Sequence, residues 1–201
     1  MRADHPFGRA WHGGALGERA LFGFPAAGGT RDGPAIRYVL IRQQKTTLGE
    51  PDGTRSAPVQ RHRLPTVITA NIDGWLLAHA AFIVPIAFAL YRDGTDAARL
   101  ARDLDTLRMM VRATRQACQA LRAADAADIP ANLSVLYLRM AEAFAVRCWR
   151  WVLASPRGEL WFAAHSRAAP PEMTSLGAEL RAAVHRAGRP APVLDALLSR
   201  G

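Results

Sequence analysis

The sequence predicts a mainly α-helical protein, in which a multi-helix bundle follows a short β-rich segment. Three observations indicate this fold class: an apolar run from Asn71 to Tyr91, amphipathic segments of helical spacing after it, and short β-branched runs before it. We therefore expect a β-rich part over residues 1–66 and a helical domain over residues 67–201. A chain of 201 residues has room for one domain plus part of another.

Runs of strand-forming residues are concentrated before residue 70. The pattern predicts strands over Arg19–Phe24, Ile36–Ile41, Lys45–Glu50 and Thr66–Thr69, with a glycine-rich turn over residues 25–33. Pro51, Asp52 and Gly53 are a turn signal after the third run. Because short strands with no helix between them cannot bury a full core, they are expected to form a sheet edge that lacks further strands.

The apolar segment is predicted to be a helix at the centre of the fold. Between Gly74 and Arg92 it contains no charged residue, and only His79 interrupts the apolar run. It has about 17 apolar residues, whereas a membrane helix needs roughly 20, and Pro85 lies within it. A core helix is therefore favoured over a membrane span, and a helix that is apolar on all sides has to be buried on all sides.

Amphipathic helices are expected to surround this segment. Their predicted spans are residues 96–124 with Thr95 as N-cap, about 130–152, about 158–165, and about 171–188 with a stop at Gly188. The positions predicted to face inward in the second span are Leu133, Leu136, Met140, Phe144, Cys148, Trp151 and Val152. Those predicted to do so in the last span are Met173, Leu176, Leu180 and Val184.

Charge and cysteine content exclude some classes of function. The formal net charge is +9, and Lys45 is the single lysine, so arginine carries nearly all of it. These arginines are dispersed among Asp and Ala instead of forming one basic stripe, which argues against a nucleic-acid binder. Cys118 and Cys148 have no metal-ligand spacing and are expected to be reduced thiols of a cytoplasmic protein.

Few residues stand out as candidates for chemistry. No HExxH or other metal-ligand spacing occurs among the six histidines, so no metal site is expected. His79, within the apolar helix, is interpreted as a hydrogen-bonded core histidine in preference to a catalytic one. Glu172 falls in the first turn of a predicted helix, where the macrodipole favours a carboxylate for structural reasons alone. A catalytic role for Glu172 remains the alternative.

Four segments in a fixed order carry a family resemblance: GERALFGFPAAGG from Gly17, IRYVLIRQQKTTLGEPDG from Ile36, WLLAHAAFIVPIAFAL from Trp75 and ASPRGELWFAAHSRAAPPEM from Ala154. Together they resemble the ketopantoate reductase (2-dehydropantoate 2-reductase) family. The resemblance implies a two-domain, NADPH-dependent reductase of a 2-oxo acid. In such a protein a Rossmann domain binds the cofactor and a C-terminal helical domain closes over it.

The chain departs from this family at positions that carry the chemistry. No G-x-G-x-x-G loop occurs in the 201 residues, and the helix that joins the two domains is expected to be missing between Gly53 and Thr66. By the resemblance, the catalytic lysine falls at Leu77, two asparagines fall near Ala80 and Val84, and a serine falls near Leu160. Only the late glutamate of the family has a match, at Glu172, and Lys45 cannot replace the missing lysine.

These departures lead to an expectation about function. We expect a truncated, degenerate family member, NADP-linked by ancestry, that does not bind NADPH tightly because no helix N-terminus faces a pyrophosphate. Glu172 is its candidate catalytic residue, and turnover by the lone chain is not expected. The alternative is a non-catalytic helical interaction module that forms a homodimer through the β-rich segment. Membranes and nucleic acids are not expected partners.

Overall fold

The structure is a computed structural model that describes residues 22–40, 45–50 and 65–199. Its contacts divide the chain into two compact units, Met1–Leu76 and Leu77–Gly201. The division falls later than the boundary expected after residue 66, because the last strand and the first turn of the following helix belong to the first unit. The described part is mainly helical and contains a small three-stranded sheet.

The first unit contains a three-stranded sheet built from β1 (Phe22–Phe24), β4 (Thr46–Gly49) and β5 (Thr66–Thr69), with β4 in the middle. Strand β1 runs antiparallel to β4, and β5 runs parallel to it. All three strands lie within runs that the sequence predicts to be strands. The predicted residues 19–21 lie outside the described residues, as does the turn signal at residues 51–53.

A hairpin replaces the glycine-rich turn predicted over residues 25–33, so that prediction was wrong. Strand β2 (Ala27–Asp32) pairs antiparallel with β3 (Ala35–Leu40) through six residue pairs. The turn between them consists of Gly33 and Pro34, and Gly33 has a φ of +59°. A glycine with positive φ at the first central position is what a type II′ hairpin turn requires.

The start of the first helix packs against the three-stranded sheet. Asn71 caps it, since its Oδ1 accepts the backbone N–H of Gly74 at 2.9 Å. The backbone of Gly49 lies against Ile72 so closely that a Cβ at position 49 would fall 2.4 Å from the Ile72 Cβ. The ring centroids of Phe24 and Trp75 are 5.2 Å apart. These contacts explain why the helix begins within the first unit.

Helix α1 (Ile72–Arg92) forms the centre of the second unit from Leu77 onward. Every residue from Val84 to Leu90 is buried. Within the described residues, α1 is the one helix that is long and apolar enough to span a membrane, and 61% of an apolar 18-residue stretch of it is buried inside the protein. Core helices of soluble proteins have the same properties, so the burial agrees with the predicted core helix and is consistent with a soluble protein.

The single helix predicted over residues 96–124 is two helices, α2 (Ala97–Leu100) and α3 (Leu104–Ala123). Asp96 caps the first and Asp103 caps the second, each accepting a backbone N–H within its own first turn at 3.0 Å. Thr95, the expected N-cap, instead has a φ of +60°. The prediction was wrong here because a carboxylate that binds free N–H groups starts a new helix.

The helix predicted over about 130–152 is also interrupted. Helix α4 (Ala131–Leu133) continues into a π-helical segment, π1 (Ser134–Arg139), and an extended residue, Met140, separates it from α5 (Glu142–Leu153). The wider π turn and the break change which residues face inward. The inward residues of this region are Tyr137, Ala145, Val146, Trp149 and Leu153.

Two aromatic residues of this region were therefore placed on the wrong side by the sequence pattern. Phe144 is 50% exposed and Trp151 is 66% exposed, although both were predicted to face the core. A strict period of 3.6 residues cannot be carried through a π turn.

The remainder of the second unit is helical. Helix α6 (Pro156–Gly158), the π-helical segment π2 (Glu159–Ala163) and α7 (Ala164–Ala168) follow one another where a single short helix was predicted. Helix α8 (Pro170–Arg186) confirms the prediction that ended at Gly188, which has a φ of +71°. Met173, Leu180 and Val184 are buried as predicted, whereas Leu176 is partly buried.

A last helix, α9 (Pro192–Leu198), was not predicted. Its N-terminus is capped from another helix, because Oε1 of Gln116 accepts the backbone N–H groups of Val193 and Leu194 at 3.0 and 3.1 Å. Leu194 and Leu197 then lie fully buried in the core.

Candidate functional site

Glu172, the candidate catalytic residue, is exposed in the first turn of α8. It lies close enough to Tyr91, at the end of α1, to affect that phenol. Burial, followed by the charge of Glu172, raises the pKa of Tyr91 above its ordinary value. The Tyr91 hydroxyl donates to the carbonyl oxygen of Ser166 at 3.0 Å. Tyr91 therefore remains a neutral phenol near pH 7 whose proton is held by a backbone acceptor.

Arg167, on the helix before Glu172, makes further contacts in this region. The guanidinium of Arg167 donates to the carbonyl oxygen of Thr95 at 2.8 Å and also binds the carboxylate of Glu159. These bonds connect the loop after α1 to the α7 segment that precedes Glu172. Arg167 thus joins α7 to that loop and to π2, which is a structural role.

The remaining positions implied by the family resemblance carry aliphatic side chains. Leu77 is partly buried against the core, and Ala80 and Val84 are buried within it. Leu160 is 57% exposed on π2. A carbonyl reduction needs an acid or a fixed cation at the developing alkoxide. Hydrocarbon side chains at these positions supply neither.

His79 lies on α1, two residues after Leu77, and is partly buried. Burial, and then the nearby charge of His165, lower the pKa of His79 to about 4. Its ring centroid lies 6.4 Å from that of Phe82. The imidazole is thus neutral at physiological pH and lies beside an aromatic ring, in the setting expected of a core histidine.

A buried polar pair in the core was not predicted from the sequence. The indole Nε1–H of Trp149 donates to the hydroxyl oxygen of Tyr137 at 2.6 Å. Burial of Tyr137 raises the pKa of its phenol far above its ordinary value. The sequence carries no motif for this pair. The π turn brings Tyr137 to the core, and a regular helical period does not predict that position.

No metal centre is evident among residues 22–40, 45–50 and 65–199, since no three His, Cys, Asp or Glu side chains there are arranged to hold an ion. Cys118 and Cys148 are both free thiols, and burial raises the pKa of Cys118 to about 12. A thiol with so high a pKa is not a nucleophile at neutral pH.

Comparison of the chain with protein-family models, with curated proteins and with solved structures finds no match.

Proposed function

We propose that this chain is a ketopantoate reductase-like protein that keeps the helical substrate domain of that family and does not catalyse reduction by itself. Four sequence segments in the family's order support the resemblance, and the division into a β-rich unit and a helical unit is compatible with it. By this proposal its ancestral reaction is the NADPH-dependent reduction of 2-dehydropantoate to pantoate.

The observation that carries the non-catalytic part is the side-chain chemistry of α1. The position of the family's catalytic lysine holds Leu77, and Ala80 and Val84 hold the positions of its asparagines. Two of these three side chains are buried and the third packs partly against the core. Replacing them with polar groups would leave buried donors unsatisfied, so the helix is built for packing.

Two features bear on cofactor and location. The 201 residues contain no G-x-G-x-x-G segment that could bind the pyrophosphate of NADPH at a helix N-terminus. Both described cysteines are free thiols, which is typical of a reducing compartment and supports a cytoplasmic location.

The test is a fluorescence titration of the purified chain with NADPH, together with an assay of NADPH oxidation in the presence of ketopantoate. We expect neither saturable binding nor turnover, and Leu77→Lys should rescue neither. Saturable binding with turnover that falls in Glu172→Ala would refute the proposal and identify Glu172 as the catalytic residue.

A second candidate function is self-association through the first unit. Strands β1 and β5 are the outer strands of the described three-stranded sheet, and Val67 of β5 is exposed. Outer strands present backbone groups that can recruit another strand. Deleting residues 1–66 should then shift the sedimentation coefficient in analytical ultracentrifugation toward that of a monomer. A full-length chain that already sediments as a monomer would refute this candidate.

A further inference from the structure

Helix α5 (Glu142–Leu153) has one buried side and one side that carries exposed aromatic residues. Its buried side consists of Ala145, Val146, Trp149 and Leu153. On the other side Phe144 is 50% exposed and Trp151 is 66% exposed. They are seven residues apart, so they lie in line two helical turns from each other. We call Phe144, Arg147, Arg150 and Trp151 the α5 face.

The α5 face is cationic as well as aromatic. Arg147 and Arg150 are both exposed, and neither takes part in an ion pair among the described residues. The acidic residue of this helix, Glu142, is already bound at both carboxylate oxygens by Arg112, at 2.8 Å each. The uncompensated charge on this side of the helix is therefore positive.

We propose that the α5 face binds an acidic amphipathic helix of another protein. The two aromatic residues offer anchors at the spacing that an amphipathic helix presents, and the two arginines match carboxylates beside its apolar stripe. Charge argues against a second copy of the same face, because that pairing would bring four guanidinium groups together. This inference is independent of the reductase resemblance.

The composition of the α5 face suits a small interface. Tryptophan and arginine are the residues that most often dominate binding energy, and an aromatic side chain can bury roughly 150–250 Å². A helix of 12 residues is about 18 Å long, so the contact is at the small end of specific interfaces. We therefore expect binding that is reversible and weakened by salt.

The probe is a fluorescein-labelled helical peptide with leucines on one face and glutamates on the other, titrated with the full chain and followed by anisotropy. A peptide with lysine in place of every glutamate is the matched control. We expect saturable binding of the acidic peptide and none of the basic one. Trp151→Gln should weaken binding at least about tenfold, as expected for a central anchor.

Charge and surface controls separate this face from the rest of the surface. Arg150→Glu should weaken binding of the acidic peptide, whereas Arg122→Glu, an exposed arginine of α3, should not. Leu104→Gln is the apolar control, because Leu104 is an exposed leucine at the start of α3. All these positions are exposed, so circular dichroism should show an unchanged fold.

Several results would overturn the proposal. These are no binding of the acidic peptide, equal binding of both peptides, or binding that is unchanged in Trp151→Gln. Flotation with phosphatidylglycerol vesicles that depends on Trp151, without peptide binding, would assign the α5 face to a lipid surface. A dimer in ultracentrifugation that Trp151→Gln dissociates would assign it to a second copy.

Discussion

The cap that Gln116 provides to α9 yields a sharp stability prediction. Its Oε1 is the acceptor for two backbone N–H groups, those of Val193 and Leu194, at a helix start whose own N-cap residue, Ala191, has no side-chain acceptor. Gln116→Leu keeps a similar volume and removes the acceptor. Both N–H groups then lose their partner, and α9 is bound less firmly to α3.

The size of the effect follows from the burial of these bonds. A buried donor without a partner costs about 1–3 kcal/mol. Both bonds are partly buried, so water can satisfy part of the loss. We expect Gln116→Leu to lower the free energy of unfolding by about 1–3 kcal/mol in total, and each kcal/mol should lower the Tm by about 2–4 °C in a chain of this size.

The assay is urea unfolding followed by far-UV circular dichroism, with two reference variants. Gln116→Glu keeps the acceptor and places a negative charge near a helix N-terminus, so it should cost much less than Gln116→Leu. Gln119→Leu changes an exposed glutamine of the same helix and should have little effect. The reasoning is refuted if the Leu and Glu variants at position 116 are equally stable, or if Gln119→Leu costs as much as Gln116→Leu.

Further predictions concern the core and its buried ionisable groups. Phe82→Ala removes a ring whose centroid lies 5.8 Å from that of Trp149. Because Phe82 is only partly buried, the loss of unfolding free energy should lie near the low end of about 3–5 kcal/mol. A loss under about 1 kcal/mol would contradict the packing described. Tyr137→Phe leaves the buried indole N–H of Trp149 unpaired, so urea unfolding should show a loss of about 1–3 kcal/mol. The double variant with Trp149→Phe should lose less stability than the sum of the two single losses, and additive losses would show that the bond contributes nothing. The pKa of His79 is about 4 in the folded chain against about 6.5 unfolded. Between these values the unfolded state binds more protons, so the free energy of unfolding falls as pH drops through this window. His79→Leu should flatten this dependence of the unfolding free energy on pH in urea titrations, and an unchanged dependence would exclude His79 as its source. Burial, and then the neighbouring Asp103, raise the pKa of Asp93, so its ionisation destabilises the fold as pH rises. Asp93→Asn should therefore raise the Tm at pH 7. A lower Tm would show that the interactions of the ionised carboxylate stabilise the fold by more than its burial destabilises it.

The sequence by itself determined the elements whose signals are local. The apolar run of α1 has no polar side to expose, so burial was its only stable arrangement in water. Helix α8 ended where predicted, because Gly188 readily adopts the positive φ found there and prolines follow it. Strand β5 was predicted with its bounds, because β-branched residues at Thr66–Thr69 favour the extended backbone. The cap at Asp103 was also a local signal, although the continuous apolar period obscured it.

Only the tertiary structure decided the features that depend on distant residues. Strand β2 contains two glycines, so its intrinsic strand propensity is low. Its pairing with β3 makes it a strand. The π turn before α5 rotates the helix that follows, which exposes Phe144 and Trp151 and buries Trp149. Gln116 finds its partners more than seventy residues away along the chain. Hydrophobic periodicity reports which residues favour burial, but ladder partners, caps from other helices and local changes of helical pitch are set by packing.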